Sequence, residues 1–237
     1  TSPVITSAHN DTTIYAGADG TVNVPDYTEK VTANDNCDLD PDISQKPSQG
    51  SELSSLTNEV TLTVADDGGN KTETSFILEV ADTLAPTITS VHNDTAIAST
   101  QDCQASLPDY TDKVKANDNF DSNLDVEQLP APGTAISGTD NEVRLKVTDD
   151  AGNTDEKIFM VDVLDNTKPT ITSIHRDTTV NAGADCQAEL PDYTGEVSAK
   201  DNCDSDLDVT QNPAAGTMIS GSNNEIVLSV ADDAGNK

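Results

Sequence analysis

The sequence predicts an all-β chain of three tandem β-sandwich domains arranged as a rod, and three observations carry that reading. The segment P-V-I-T-S at Pro3 recurs as P-T-I-T-S at Pro86 and Pro169, so the period is 86 − 3 = 169 − 86 = 83 residues. Apolar residues within each repeat alternate with polar ones at period two, the mark of a half-buried strand. Turn residues recur about every 8–12 positions and no helical period is present, as in a sandwich of short strands.

The register holds along each repeat without a gap. Pro25–Thr28 matches Pro108–Thr111 and Pro191–Thr194, and Asp66–Asn70 matches Asp149–Asn153 and Asp232–Asn236. The second and third repeats are identical at 43 of 69 aligned positions, a register that a drifting disordered tract would not keep. The expected domains are residues 1–83, 84–166 and 167–237. In the first, strands are expected near 3–8, 12–15, 20–24, 30–35, 42–46, 59–65 and 73–81. Val60, Leu62 and Val64 alternate with Thr61 and Thr63, as Val143, Leu145, Val147 and Ile226, Leu228, Val230 do in the other repeats. The third repeat stops at Lys237 and so lacks the counterpart of the last strand, which suggests a fragment of a longer array or an edge completed by a strand from a neighbouring molecule.

Composition excludes several classes of function. With 12 Lys+Arg against 43 Asp+Glu the net charge is −31, which opposes binding to nucleic acid and to anionic lipid. Aromatic residues make up 3% and Trp is absent, so stacking platforms for bases or sugars are scarce. No apolar run approaches the roughly 20 residues that span a bilayer, so direct membrane insertion is not expected.

In an immunoglobulin-like sandwich, the loop at 34–40 and the turn at 66–70 would lie side by side at the end that receives the preceding linker. That placement gathers oxygen ligands. The first repeat offers Asp35, Asn36, Asp66 and Asp67, with Asp38 and Asp40 nearby. The second offers Asp118, Asn119, Asp121, Asp149 and Asp150 with Asp82 in its linker; the third offers Asp201, Asn202, Asp204, Asp232 and Asp233 with Asp165. Calcium takes six to eight hard oxygens, and converging carboxylates repel unless a cation neutralises them. Two readings stand side by side: an interdomain calcium clamp, or Asp and Asn acting only as turn formers. No D-x-[DN]-x-[DN]-G loop is present.

The ordered set of an opening P-T-I-T, a Cys ahead of P-D-Y, a D-N-C and a late D-D-A-G-N resembles the hyalin-repeat (HYR-type) immunoglobulin-like domain, and the resemblance covers the whole chain. It implies an extracellular protein, and long arrays of such repeats resemble bacterial cell-surface adhesins, including those of gliding Bacteroidetes. It also implies a disulfide between Cys186 and Cys203, which occupy the two family positions in the third repeat; the loop of about 17 residues would contribute roughly 3 kcal/mol in the chain-entropy model. The first repeat has Gly20 and the second Phe120 at the other half positions, so Cys37 and Cys103 are expected to be free thiols. Both are placed near the N-terminal ends of their domains, so a bond between them would cross a domain length.

Other residues recur once per repeat. His9, His92 and His175 are expected to be packed or capping side chains. Tyr27, Tyr110 and Tyr193 are expected to close the sandwich edge with their rings. Asp-Thr pairs resembling the Bacteroidetes O-glycosylation acceptor make Thr12, Thr83, Thr95 and Thr178 candidate sugar carriers, with ordinary turn or linker threonines as the alternative. No nucleophile-base set, phosphate loop or zinc spacing is present, and a reaction centre rarely comes in three near-copies.

The expected function is a non-enzymatic stalk in an extracellular, cell-surface adhesin or filament. Its partners would be neighbouring repeats of the same long chain and, beyond them, surface glycans or other cells. The rival readings are a glycan- or protein-binding module, which would need an exposed repeat-specific apolar patch, and an accessory region of a secreted enzyme.

Overall fold

The computed structural model describes residues 1–237, and every regular element longer than a single 3-10 turn is a β-strand. The chain divides into two compact units. One comprises Thr1–His92, Tyr110–Leu129 and Arg144–Ile158; the other comprises Asn93–Asp109, Pro130–Val143 and Phe159–Lys237.

In the first unit, β1 (Val4–Ser7) pairs antiparallel with β3 (Thr32–Asn34). A four-stranded sheet is formed by β2 (Thr12–Tyr15), β4 (Asp42–Lys46), β5 (Thr57–Ala65) and β6 (Lys71–Ala81) in the order β2-β6-β5-β4. β2 runs parallel to β6, and β5 is antiparallel to both β6 and β4. The alternation read from sequence sets which face is dry. Val60, Leu62 and Val64 are fully buried, opposite Phe76, Leu78 and Val80 of β6 on the same core. Val22, Val24, Tyr27, Val31 and Leu53 close the core from the other layer. Each such side chain contributes about 1.5–3 kcal/mol by leaving water.

Six of the seven strands expected in the first repeat form. The seventh, at 20–24, is reduced to one bridge between Asn23 and Glu52, flanked by bonds from the Val24 amide to Ser51 (2.9 Å) and the Leu53 amide to Val22 (2.8 Å). Pro25 follows and has no amide hydrogen to extend the ladder. In the same unit, Thr87–Ser90 pairs with Lys115–Asn117, and Asp125–Leu129 pairs with residues 144–148.

In the second unit, Thr95–Ala98 runs parallel to residues 161–164, and Ala105–Ser106 pairs with Ala135–Ile136. Three antiparallel pairs follow: Thr170–Ser173 with Ser198–Lys200, Gln187–Glu189 with Met218–Ser220, and Asp208–Asn212 with Val227–Ala231. Residues 178–181, the counterpart of β2, form no strand. In the first repeat β2 is held by its parallel pairing to β6.

One glutamine per repeat fixes the P-D-Y turn. Gln45 accepts the Tyr27 amide at 2.7 Å and donates to Pro25 (2.9 Å) and Pro47 (3.2 Å) carbonyls. Gln211 makes the same three bonds with Tyr193, Pro191 and Pro213, and the buried Gln128 accepts the Tyr110 amide at 2.8 Å. The tyrosine rings so held are buried, and the histidine of each repeat packs on them, with ring centroids 4.7, 4.7 and 4.5 Å apart for His9–Tyr27, His92–Tyr110 and His175–Tyr193. Burial raises the Tyr27 and Tyr110 hydroxyl pKa values.

Candidate functional site

The D-D-x-G-N turn is built by its own first aspartate. Asp149 accepts the Asn153 amide (2.7 Å) and side-chain nitrogen (2.9 Å), and Gly152 takes φ +91°, where a side chain would be strained. Asp66 with Asn70 and Asp232 with Asn236 repeat the arrangement. The D-N-x-D loop is capped in the same way: Asp118 Oδ1 accepts the amides of Phe120 and Asp121, both at 2.9 Å, and Asp201 Oδ1 those of Cys203 and Asp204.

The two segments lie side by side in each repeat, because the second aspartate of the loop accepts an amide of the turn. These bonds run from Asp67 to Asp38 (3.0 Å), Asp150 to Asp121 (3.2 Å) and Asp233 to Asp204 (3.3 Å). The linker joins them where one precedes: Asn153 Nδ2 donates to the Asp82 carbonyl and Asn236 Nδ2 to that of Asp165.

Two four-carboxylate clusters result. Asp82, Asp118, Asp121 and Asp149 in the first unit, and Asp165, Asp201, Asp204 and Asp232 in the second, each bring one carboxylate oxygen per residue within 4.8 Å of the others. Asp82, Asp149 and Asp232 are buried. The turn and loop bonds do not exhaust these groups. The Oδ2 atoms of Asp82, Asp118, Asp165 and Asp201 are buried with no hydrogen-bond partner. A buried carboxylate oxygen facing other carboxylates is costly unless a cation satisfies it. Burial, then neighbouring carboxylates, raises the Asp121 and Asp204 pKa values, whereas hydrogen bonds lower those of Asp35 and Asp66. Oxygen-only donors on loops suit a hard divalent cation of the calcium kind.

The remaining expected ligands are used elsewhere. Asp150 and Asp233 contribute main-chain amides to the neighbouring loop. Asn119 and Asn202 donate to the carbonyls of Gly17 and Thr100, both at 3.1 Å. In the first repeat Asp35, Asn36, Asp66 and Asp67 form no four-carboxylate cluster. Asp121 and Asp204 complete the clusters; their signal was recurrence at 83-residue spacing on a loop facing the turn. Thr83 and Thr178 are exposed, while Thr12 and Thr95 sit half-buried in strands whose preceding aspartates, Asp11 and Asp94, accept the amides of Ile77 and Met160.

The disulfide corrects the sequence reading. Cys103 bonds Cys203, at Cα–Cα 4.8 Å, and not Cys186; Cys37 and Cys186 are free and exposed. The Thr100–Cys103 turn does not lie at the N-terminal end of its repeat but against the Asn202–Cys203 loop of the next one. The two half positions therefore belong to one contact between successive repeats. In the first unit the same contact pairs Gly20 with Phe120. A Cβ on Gly20 would stand 1.5 Å from the Asn119 carbonyl oxygen, so only glycine permits this approach, and Phe120 packs against the first core.

Among solved structures, the chain is similar to immunoglobulin domains 1–5 of Sidekick-1 at 16% identity and TM-score 0.38, covering 92% of this chain and 49% of that one. It thus spans about half the length of that match. It is also similar to Drosophila N-cadherin EC1–4 (13% identity, TM-score 0.36, 98% of this chain and 71% of that one) and to titin domains I67–I69 (10%, 0.34, 96% and 96%). No family model and no curated protein matches the chain. The fold class is all-β, as the alternation and turn spacing predict.

Proposed function

We propose that this chain is a non-enzymatic stalk segment of a long, extracellular cell-surface adhesin of the hyalin-repeat type, with calcium bound where successive repeats meet. The observation that carries this is the pairing of a linker aspartate with three loop carboxylates, twice, each time leaving two buried oxygens without a partner. Asp82 with Asp118, Asp121 and Asp149, and Asp165 with Asp201, Asp204 and Asp232, would hold the ions. A cation there ties the linker to both loops and stiffens the joint, and the −31 net charge keeps neighbouring stalks apart. Surface glycans or other cells are the partners of such an adhesin, and the exposed Thr83 and Thr178 are its sugar acceptors. Small-angle scattering of metal-stripped protein, with and without millimolar calcium, tests the stalk. Calcium should lengthen the particle and narrow its distribution of shapes, with no such effect from magnesium. An unchanged profile contradicts the stiffening.

A further inference from the structure

The second carboxylate cluster differs from the first in one neighbour, a disulfide. Cys203 Sγ and one carboxylate oxygen each of Asp165 and Asp201 lie within 4.8 Å of one another. Cys203 also stands in the chain between two of the four acids, and Asp201 Oδ1 accepts the amides of Cys203 (2.8 Å) and Asp204 (3.2 Å). Whatever holds Cys203 therefore holds the loop that supplies Asp201 and Asp204. Its bond to Cys103 fixes that loop against the Thr100–Cys103 turn, where Asn202 Nδ2 reaches the Thr100 carbonyl at 3.1 Å. Asp165 Oδ2 and Asp201 Oδ2 of this cluster, and Asn202 Oδ1 on the same loop, are buried without a partner.

The first cluster has the same arrangement of acids without the sulfur. Phe120 stands at the position of Cys203 and Gly20 at that of Cys103, and Phe120 packs against the apolar core of the first repeat. Apolar packing fixes the Asp118–Asp121 loop there, and a thiol reagent has nothing to act on.

Electrostatics give the disulfide its consequence. Without a cation, four carboxylates within 4.8 Å repel, and the readiest relief is for the 201–204 loop to swing away from the linker that carries Asp165. A cross-link resists that movement and two thiols do not. Calcium then meets ligands already gathered in the cross-linked protein, whereas in the reduced protein binding has to gather them. Linkage is reciprocal: if the disulfide form binds calcium more tightly, calcium protects the disulfide from reduction by the same factor.

We propose, building on the calcium reading above, that the Cys103–Cys203 bond is a redox control on the calcium affinity of the second cluster alone. The reductant is a small dithiol such as dithiothreitol. Its thiolate attacks one cysteine sulfur and expels the other as a thiolate; its second thiolate then closes the reagent's own ring and releases the first cysteine. Two electrons pass to the protein, and the two protons given up by the reagent end on Cys103 and Cys203. The reduced chain loses calcium from the second cluster at concentrations that keep the first one filled.

The test isolates each cluster, since D82N leaves the second intact and D165N leaves the first. Each variant is titrated with calcium, oxidised and after dithiothreitol, with alkylation and peptide mapping to read the state of Cys103 and Cys203. Reduction should weaken calcium binding to D82N by about fivefold or more, the lower end of the usual coupling between two sites, and leave binding to D165N within about twofold. Adding C103S to D82N, which removes the bond and keeps every ligand, should reproduce the reduced affinity without dithiol. In D82N, calcium should raise the ratio of reduced to oxidised dithiothreitol at half-reduction by the same factor as the loss of affinity, with no such rise in D165N. Reduced D82N should keep its β-sheet circular dichroism; losing it would assign the weaker binding to unfolding and count against the proposal. Equal calcium affinity of oxidised and reduced D82N, or an equal loss in D165N, overturns the redox control and leaves calcium binding standing. Failure of both oxidised variants to bind calcium overturns the calcium reading itself, and the control with it.

Discussion

Replacing Asp82 with Asn separates a cation site from a set of turn formers by the sign of its effect. Asp82 Oδ1 accepts the Leu84 amide at 3.1 Å, and an Asn keeps that bond. Its Oδ2, buried and unpartnered, faces Asp118, Asp121 and Asp149 within 4.8 Å. Two unit charges at that distance repel by about 3 kcal/mol at an effective dielectric of about 20, and solvent screening lowers this further. In EDTA, D82N therefore removes a charge from the cluster and places an N–H donor toward it. We expect a gain of about 1–2 kcal/mol, or about 2–8 °C in Tm for a chain of this size. With calcium the effect reverses. At free calcium about 100 times Kd, the wild-type site gains about 2.7 kcal/mol. A site weakened tenfold to a hundredfold by loss of one carboxylate gains only about 1.4 to 0.4 kcal/mol at the same concentration. Thermal unfolding of wild type, D82N and the D82N/D165N double variant, with EDTA and with calcium, reads all of this. Destabilisation by D82N in EDTA, together with an undiminished calcium shift, would refute the reasoning.

Four other outcomes follow from the same geometry. Leu62→Ala, at a fully buried position of β5, should cost about 2–5 kcal/mol in denaturant unfolding. Cys103→Ser should cost about 2–5 kcal/mol under oxidising conditions and nothing under reduction, because the bond closes a separation of 100 residues. Gly20→Ala should weaken the contact between the first two repeats, seen as earlier proteolysis near residue 83, because its Cβ would overlap the Asn119 carbonyl. The pH dependence has two signs. Asp121 and Asp204 have folded pKa values raised above 3.8, so their contribution is present at low pH and lost as pH rises through those values; calcium-free protein should gain stability as pH falls toward them. Asp19, Asp26, Asp35, Asp66 and Asp192 are lowered below 3.8 by hydrogen bonds, so stability should fall once pH drops below about 4. Calcium-saturated protein should instead lose stability throughout, as protons compete for the carboxylates.

Much of the fold was legible because it rests on local pattern. The alternation of Val60, Leu62 and Val64 fixes which face of β5 is buried, and Pro25 marks where an edge ends. The adjacency of the 34–40 loop and the 66–70 turn was legible from sandwich connectivity, and the bonds from Asp67 to Asp38 and its counterparts realise it. What escaped was chemistry between repeats. Cys103 and Cys203 are separated by 83 + 17 = 100 positions, so a search within one repeat pairs Cys203 with Cys186 instead. Gln45, Gln128 and Gln211 also escaped, although they recur at the repeat spacing, because a single glutamine in a strand carries no pattern of its own. Their role appears only when the Tyr amide and two proline carbonyls converge on it.

The central claim is that two equivalent carboxylate clusters bind calcium, and isothermal titration of metal-stripped protein tests it most directly. Two calcium ions should bind per chain, one lost in D82N, the other in D165N and both in the double variant, with magnesium failing to compete at equal concentration. Absence of binding, or binding unchanged in the double variant, would contradict the account and leave the acidic loops as turns that carry charge.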